Sequence, residues 1–235
     1  GSKGLPGKNK LLVRNKPMAF YPMESASNSQ FIKKSFLSTD DPDLEDIGKN
    51  LNHICLERPK ELATSNALGD DVFAYAYKQI IERYEDLKDL YIVLLFCNAP
   101  TVNSKIIDEA IFMLNSDPDA DSVVTVSKFN MWSPLRARKL DNDQKFLLPF
   151  VPFENFGDPK YLNCDRDSQG DVLFANMSLS VVRPKCLLNL SDGLLPQKWM
   201  GQKIKPLYQE FGCDVDYQWQ VPMVEYWLEK NYLIN

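Results

Sequence analysis

Short apolar runs alternate with amphipathic helical patterns over residues 35–127, and this alternation restricts the fold more than any other feature of the chain. Apolar residues recur at helical spacing over residues 70–87 and predict a helix there. Residues 90–96 are continuously apolar, as in a central parallel strand that is covered on both faces. A second helix is predicted over residues 104–114, with Asn103 as its N-cap, and a valine-rich strand over 121–127. This order predicts an α/β fold with a mainly parallel sheet.

Further elements are predicted on both sides of this core. They are a helical stretch within residues 17–29, a strand at 35–39, a helix at 43–51, a strand at 54–56, a strand at 172–182 and a closing helix at 223–228. Residues 187–211 show no regular pattern and are interpreted as irregular chain. Because 235 residues suffice for one domain with a sizeable core, we predict a single domain over residues 1–235.

Net charge and cysteine usage argue against several classes of protein. The formal net charge of −5 disfavours nucleic acid and anionic membrane surfaces as partners. No apolar run approaches the length of a membrane span. The five cysteines are scattered and never form a Cys-x-x-Cys pair, which argues against a disulfide framework or a zinc site. We therefore expect reduced thiols and a cytoplasmic protein.

The first nine residues, Gly-Ser-Lys-Gly-Leu-Pro-Gly-Lys-Asn, form a glycine-rich loop. Three glycines and one proline disfavour a helix and a regular strand. Such a loop turns tightly and brings backbone N–H groups close to a bulky anion, while Lys3 and Lys8 add charge that suits phosphate. The spacing of a Walker loop is absent, and composition alone leaves a cationic tail open as the alternative.

Asp214 and Asp216 stand two residues apart in a segment predicted to be extended, so their side chains point the same way. Two carboxylates that converge on one point are costly without a cation, and oxygen-only ligands suit Mg²⁺. A solvated acidic turn is the alternative on spacing alone. The opening loop favours the metal site, because a bound triphosphate needs a metal ion.

Residues 129–167 interrupt the alternation with a segment rich in proline and aromatic side chains. We interpret this segment as an excursion from the sheet. Its apolar run at 146–153 is predicted to be exposed, and an exposed apolar run on a loop usually contacts a partner. A lid within one chain is the alternative that loop lengths leave open.

Five stretches spread over most of the chain carry a resemblance to one family. They are the opening loop, Ser38-Thr39-Asp40, Arg58-Pro59-Lys60-Glu61-Leu62-Ala63, the pair Arg166 and Asn176, and Asp214-Val215-Asp216. In this order they resemble the motifs of the acylneuraminate cytidylyltransferases, also called CMP-sialic acid synthetases. The resemblance implies a Rossmann-like three-layer nucleotidyltransferase fold. It also implies a reaction in which a sugar hydroxyl attacks the α-phosphorus of CTP and pyrophosphate leaves.

The resemblance also assigns roles to individual residues. It implies nucleotide contacts at Ser2, Lys3, Gly4, Asn9 and Arg58, catalytic roles for Lys8, Arg166, Asp214 and Asp216, Mg²⁺ ligation by Asp214 and Asp216, and acid-substrate contacts at Phe96, Asn98, Gln169 and Asn176. In the family an apolar first strand precedes the loop, so we expect that strand to be missing before Gly1. In the family, too, the segment corresponding to 129–167 contacts the second subunit of a homodimer.

The chain departs from the family where the acid substrate binds. Phe96 stands where the family has a glutamine, Asn176-Met177-Ser178 replaces Asn-Gly-Ala, and Ser65 replaces an acidic residue. The single histidine, His53, precedes a strand away from the motifs and is interpreted as structural. Cys97 and Cys164 have no histidine beside them in the sequence, which argues against nucleophilic catalysis.

These observations predict a Mg²⁺-dependent cytidylyltransferase that joins CMP to a sialic-like nonulosonic acid. Two alternatives stay open. One is a synthetase for the eight-carbon acid Kdo, and the other is a related fold that binds CTP without turnover.

Overall fold

The computed structural model describes residues 4–64, 66–165 and 170–232. The chain divides into two compact units, one formed by residues up to Val126 with those from Asn176 onward, the other by Ser127–Ala175. In chain order, the α-helices and strands of the described residues are β1 (Leu12–Val13), β2 (Lys16–Pro17), α1 (Phe20–Ser27), β3 (Phe36–Thr39), α2 (Pro42–Asn50), β4 (Ile54–Glu57), α3 (Gly69–Arg83), β5 (Ile92–Leu94), α4 (Ser104–Asn115), β6 (Ser122–Lys128), β7 (Arg138–Leu140), β8 (Leu147–Pro149), β9 (Leu173–Val182), α5 (Pro184–Leu188), β10 (Ile204–Tyr208) and α6 (Val221–Asn231).

The opening loop leads into a short hairpin that the sequence pattern did not predict. The loop ends in a 3-10 turn at Lys8–Lys10, and Gly7 before it has φ +71°, which glycine adopts without strain. β1 and β2 then pair antiparallel through a two-residue turn in which Arg14 and Asn15 both have positive φ. Because Arg-Asn is not the usual Asn-Gly pair of such turns, the hairpin gives a weak sequence signal.

β3 and β4 form a parallel pair joined through α2, as the sequence predicts. The Asp41 side chain caps α2 by accepting a hydrogen bond from the Asp43 backbone N–H at 3.0 Å, and Pro42 occupies the first helical turn. Parallel pairing brings the carboxyl ends of both strands to one edge. The Ser-Thr-Asp motif and Arg58, which directly follow these strands, therefore lie on the same side.

The main sheet has four strands in the order β10-β6-β9-β5. β10 pairs parallel with β6, whereas β5 pairs antiparallel with β9, so the sheet is mixed. Among the described residues, β5 lies at the end of this sheet and pairs with β9, which runs antiparallel to it. The expectation that β5 is a central parallel strand is therefore wrong for these strand pairs. Its continuous apolar run indicates burial and carries no information about the direction of its neighbour.

α4 packs against this sheet and contributes to a buried core. Asn103 caps α4 as predicted, since its side chain accepts a hydrogen bond from the Ile106 N–H at 3.0 Å. The buried core comprises Val102, Ile107, Ala110, Leu114, Ala120, Val123, Leu179, Val181 and Leu207. The helix–strand alternation read from the sequence is thus present, and the predicted α/β fold class is confirmed.

β10 was missed in the stretch interpreted as irregular. It has five residues and contains Pro206, which cannot donate a hydrogen bond to a neighbouring strand. β10 lies at the end of the sheet order, where a proline is tolerated because only one side of the strand is paired. β10 is therefore recognised from its pairing with β6 and not from its own sequence pattern.

The second unit contains the predicted excursion and is built on an antiparallel hairpin. β7 and β8 pair from Arg138 opposite Pro149 to Leu140 opposite Leu147. Several large apolar side chains of this hairpin are exposed, namely Leu140, Phe146, Leu147, Leu148 and Phe150. The prediction of an exposed apolar run therefore fits the geometry of this unit.

None of the helices in the described part of the chain is both long enough and apolar enough to cross a membrane.

Candidate active site

A cavity of about 1080 Å³ opens in the first unit and gathers several of the predicted site residues. Residues 7–10 of the opening loop line one part of it, together with Ser38 and Thr39 at the end of β3. Arg58 and residues 96–98 line the same cavity. Residues far apart in the sequence thus meet at the carboxyl ends of β3, β4 and β5, where α/β sheets bind ligands.

The opening loop is fixed against the Asp214–Asp216 segment at two points. Lys8 Nζ forms an ion pair with the Asp216 carboxylate, and only 12% of the Lys8 side chain is exposed. A Cβ atom on Gly4 would lie 2.7 Å from the Asp216 carbonyl oxygen, so only glycine fits this approach. The loop and the acidic pair, both predicted from the sequence, therefore form one site.

Lys10 anchors the other side of the loop. Its Nζ lies 3.0 Å from Asp41 and 2.8 Å from Asp43, the two residues at the beginning of α2. This contact was not predicted, because nothing in the sequence pairs Lys10 with an acidic residue more than thirty positions away.

The two predicted metal ligands flank Val215, whose side chain is fully buried in a core with Val13, Met18 and Tyr21. Asn98 binds the main chain between them: its carbonyl accepts from the Val215 N–H at 2.8 Å and its side-chain amide donates to the Val215 carbonyl at 3.2 Å. Asn98 was predicted to contact the acid substrate. In the structure its side-chain amide holds the acidic segment.

The electrostatics of this pair favour a bound cation. Burial raises the pKa of Asp214, and the neighbouring Asp216 charge raises it further, while Lys8 and the Asn98 side chain act in the opposite direction. Burial, followed by the charges of Asp214 and Asp216, raises the pKa of the Cys213 thiol to about 12, so this cysteine stays neutral. The Asp214 carboxylate is therefore poorly solvated, and a cation beside it would stabilise its charged form.

The donor set fits Mg²⁺ better than a metal held by protein alone. The described residues contain no group of three or more His, Cys, Asp and Glu side chains that would enclose a metal. Mg²⁺ commonly binds one or two carboxylates and takes its remaining ligands from phosphates and water. Asp214 and Asp216 supply that kind of partial site, next to a loop suited to phosphate.

On the nucleotide side, the structure joins Arg58 to the Ser-Thr-Asp motif. Arg58 Nε donates to Ser38 Oγ at 3.1 Å, and a terminal guanidinium nitrogen donates to the Ser38 carbonyl. Asn9 Oδ1 is buried and has no hydrogen-bond partner among the described residues, and Asn9 lines the cavity. A buried acceptor of this kind is costly unless a ligand donates to it.

On the opposite side of the cavity, Phe96 belongs to an aromatic cluster. Its ring centroid lies 5.2 Å from that of Phe73 and 6.0 Å from that of Trp199. The Phe73 and Trp199 rings meet edge to face at 5.3 Å. Phe96 therefore presents an apolar face to the cavity, while the buried Nε1 of its neighbour Trp199 has no hydrogen-bond partner among the described residues.

Asn176 is 4% exposed, and its side-chain amide is hydrogen-bonded to other residues of the protein. Its Oδ1 accepts from Thr125 Oγ1 at 2.7 Å, and its Nδ2 donates to Gln209 at 2.8 Å. The next residue, Met177, has φ +62°, the left-handed conformation that glycine adopts without strain. The backbone geometry that suits the glycine of Asn-Gly-Ala is thus retained with methionine in its place.

Four predicted site residues, Ser2, Lys3, Arg166 and Gln169, lie outside the described residues.

Two residues interpreted as non-catalytic have surroundings that agree with that interpretation. His53 is buried, its Nε2 lies 3.0 Å from the Met23 carbonyl, and burial lowers its pKa. Burial raises the pKa of the Cys97 thiol to about 11 against a weaker opposing effect of Arg58, so the thiol is neutral at physiological pH.

Comparison with solved structures identifies the fold class. CMP:2-keto-3-deoxy-manno-octonic acid synthetase complexed with CTP matches with a TM-score of 0.64 and 14% identity, over 98% of this chain and 95% of that one. 4-Diphosphocytidyl-2C-methyl-D-erythritol synthase matches with a TM-score of 0.65 and 6% identity, over 94% and 93%. Identities this low show the fold alone, which is that of the nucleotidyltransferases.

Sequence comparison then gives the family. The family model described as cytidylyltransferase matches residues 1–145, more than half of the 235 residues. The chain belongs to the cytidylyltransferase family, and the resemblance drawn from the motifs is confirmed.

Curated relatives match over a little more than half of the chain. The pseudaminic acid cytidylyltransferase and UDP-2,4-diacetamido-2,4,6-trideoxy-beta-L-altropyranose hydrolase of Helicobacter pylori is 33% identical over 142 residues, 60% of this chain and 26% of that protein. An N-acylneuraminate cytidylyltransferase of Streptococcus agalactiae is 36% identical over 130 residues, 54% of this chain and 30% of that protein. The matched stretch thus spans less than a third of these relatives' length.

Proposed function

We propose that the protein transfers CMP from CTP to the anomeric hydroxyl of a nonulosonic acid and releases pyrophosphate. The observation that carries this proposal is the contact between Lys8 and Asp216 beside the buried Asp214. It joins a loop suited to phosphate and a carboxylate pair suited to a cation within one site. The family and the names of the curated relatives support the same reaction.

In this proposal the residues of the site have different roles in the reaction. Lys8 and the backbone N–H groups of the loop neutralise and orient the phosphates of CTP. Arg58 and the free Asn9 oxygen face the nucleotide. Mg²⁺ held by Asp214 and Asp216 would supply charge stabilisation on the phosphate oxygens during phosphoryl transfer.

The experiment that tests the function is pyrophosphate release from CTP across a panel of 2-keto-3-deoxy acids that includes N-acetylneuraminate, diamino nonulosonates and Kdo. Release with a nine-carbon acid supports the proposal. Preference for Kdo favours the eight-carbon alternative. This alternative is tested because the chain shares its fold with CMP:2-keto-3-deoxy-manno-octonic acid synthetase. CTP binding without release for any acid indicates a protein that binds the nucleotide without turnover.

Phe96 is expected to favour a less polar nonulosonate, such as a 9-deoxy diamino acid. Glutamine offers both a donor and an acceptor, whereas Phe96, which lines the cavity together with Phe73, offers only an apolar face. A site that hydrogen-bonds a group rejects analogues lacking it by large factors, while an apolar pocket discriminates by only about 10–200-fold per methylene. The measurement is kcat/KM for N-acetylneuraminate against 9-deoxy diamino nonulosonates in the wild type and in Phe96→Gln.

Phe96→Leu is the control, because it disturbs the aromatic cluster without adding a polar group. Phe96→Gln is expected to shift preference towards N-acetylneuraminate, and Phe96→Leu is not. A wild type that prefers N-acetylneuraminate by tenfold or more, with no shift in Phe96→Gln, contradicts this assignment of the pocket.

We further propose that an apolar strand on the N-terminal side of the opening loop fills part of the cavity. β3 and β5 line the cavity from two different sheets, and among the described residues β3 pairs only with β4 and β5 only with β9. Both strands direct their carboxyl ends to the loop, so a strand that leads into the opening loop would lie parallel to both. It would join the two sheets into one and satisfy their free backbone groups.

Adding five Val and Ile residues before Gly1 tests this strand. The apolar extension is expected to raise Tm by roughly 5 °C or more, since several buried side chains are added to a chain of this size. A Gly-Ser extension of equal length is the control. Equal Tm values for the two extended chains would exclude a strand at this position.

We also propose a homodimer that forms through the exposed apolar side chains of the β7–β8 hairpin. Such a patch on a loop unit is typical of a protein–protein contact.

A further inference from the structure

The segment that carries Asp214 and Asp216 lies outside every strand and helix of the described residues. Its backbone groups therefore have no sheet or helix partner, and partly buried groups of this kind must be bonded by side chains or water. Asn98 satisfies the N–H and the carbonyl of Val215 from one side, as described above. The remaining groups, at Asp214 and Asp216, need a second partner.

Gln220 is that partner. Its Oε1 accepts from the Asp216 N–H at 2.7 Å and from the Tyr217 N–H at 2.8 Å. Its Nε2 donates to the Asp214 carbonyl at 3.2 Å. One half-buried amide side chain thus binds the main chain of both predicted metal ligands.

One of these three bonds belongs to a helix cap. Gln220 is the last residue of the 3-10 turn Gln218–Gln220 and accepts from the N–H of the preceding cap residue, Tyr217, as in a capping box. The other two bonds, to the Asp216 N–H and the Asp214 carbonyl, reach beyond the cap, and the side chain makes no cap bond to α6. These two bonds are directed at the acidic segment.

The arrangement couples the segment to the opening loop. Gly4 packs against the Asp216 carbonyl and Lys8 pairs with the Asp216 carboxylate. A shift of the Asp216 main chain would move the carboxylate relative to Lys8 and separate it from Asp214. The position of the Asp216 backbone therefore determines how the side chains of Lys8, Asp214 and Asp216 are arranged.

We propose that Gln220 is a positioning residue that holds Asp214 and Asp216 so that both carboxylates face one cation. It acts through the main chain and does not touch substrate. Residues that orient metal ligands typically cost 10–100-fold in affinity or activity when they are lost. The inference rests on the proposed function only in taking this pair as the site of a nucleotide-bound divalent cation.

The test uses two substitutions of Gln220 and one matched control. Gln220→Met keeps the length of the side chain and removes all three hydrogen bonds, while Gln220→Glu keeps the acceptor for Asp216 and Tyr217. Gln218→Met changes an exposed glutamine in the same 3-10 turn, Gln218–Gln220. The readouts are Mn²⁺ affinity in the presence of CTP, measured by water-proton relaxation, and kcat and KM for pyrophosphate release.

Gln220→Met is expected to weaken Mn²⁺ binding and lower kcat by about tenfold or more, with KM for the acid unchanged. Gln220→Glu is expected to lose less Mn²⁺ affinity than Gln220→Met, because the bonds from Asp216 and Tyr217 remain while a carboxylate oxygen faces the Asp214 carbonyl. Gln218→Met is expected to behave as the wild type. If Gln220 had a merely structural role, Gln220→Met would have a lower Tm, and Gln220→Glu would bind Mn²⁺ no more tightly than Gln220→Met.

The possible outcomes separate this inference from the proposed function. If Gln220→Met matches Gln218→Met in Mn²⁺ affinity and kcat, the positioning role is wrong and the function stands. If no acid supports pyrophosphate release while Gln220→Met still loses Mn²⁺, the function is wrong and the positioning role stands. A wild type that binds no Mn²⁺ with CTP overturns the inference.

Discussion

Asp216→Asn is expected to lower turnover on the order of 10²-fold or more, because one of the two carboxylates proposed to hold a metal ion at the phosphates is lost. Asp214→Asn is expected to have a smaller but still large effect. In Asp216→Asn the partner of Lys8 is lost as well, so charge around the phosphates changes on both sides. The measurement is kcat for pyrophosphate release at saturating Mg²⁺.

The stability of the Asp214 variant separates this effect from unfolding. The pKa of Asp214 is raised in the folded protein by burial and by Asp216. Ionisation of this carboxyl group therefore lowers the stability of the folded protein relative to the unfolded chain. At neutral pH and without metal, Asp214→Asn is therefore expected to keep or raise Tm. This gain should shrink as the pH falls towards the ordinary range of an aspartate, where the wild-type group is also neutral.

Asp119→Asn, at an exposed position, is the control and is expected to leave both kcat and Tm unchanged. Near-normal kcat in both Asp214→Asn and Asp216→Asn would exclude this pair as the metal site.

Replacing both Phe146 and Phe150 by serine is expected to convert a dimer into a monomer. These side chains are 69% and 59% exposed in the single chain and lie on the β7–β8 hairpin. Burial of a phenylalanine is worth about 1.5–3 kcal/mol, so losing two from each protomer should weaken association on the order of 10³-fold or more. Light scattering at micromolar concentration gives the mass of each species.

Phe153 is best left unchanged in this experiment, although it belongs to the predicted apolar run. It is half-buried, and the guanidinium carbon of Arg138 lies 5.4 Å from its ring centroid, so its loss would disturb the unit itself. Phe112→Ser is the control, since Phe112 is 65% exposed on α4 in the other unit. A monomeric wild type, or an equal effect of Phe112→Ser, would contradict the dimer contact.

Local chemistry allowed much of the site to be predicted from single stretches of sequence. The glycines of the opening loop, the acidic pair around Val215 and the Asn103 cap are each defined by neighbouring residues. The same holds for the alternation of helices and apolar strands, because burial and periodicity are written along the chain.

Other features depend on residues that meet only in the folded chain. Lys8 and Asp216 are 208 positions apart, so their ion pair has no signal in the sequence. The pattern of β5 indicates burial but not its antiparallel neighbour, and β10 becomes a strand because β6 is beside it.

The sequence by itself determined the family, the α/β fold class and the motifs that meet in the candidate site, because each of these is recorded in short stretches of neighbouring residues. Tertiary structure alone decided how those stretches combine. It engaged Asn98 and Asn176 in internal hydrogen bonds and brought Gln220 onto the backbone of both aspartates. The physical reason is that hydrogen-bond partners and buried charges are chosen by proximity in space, which the order of residues does not specify.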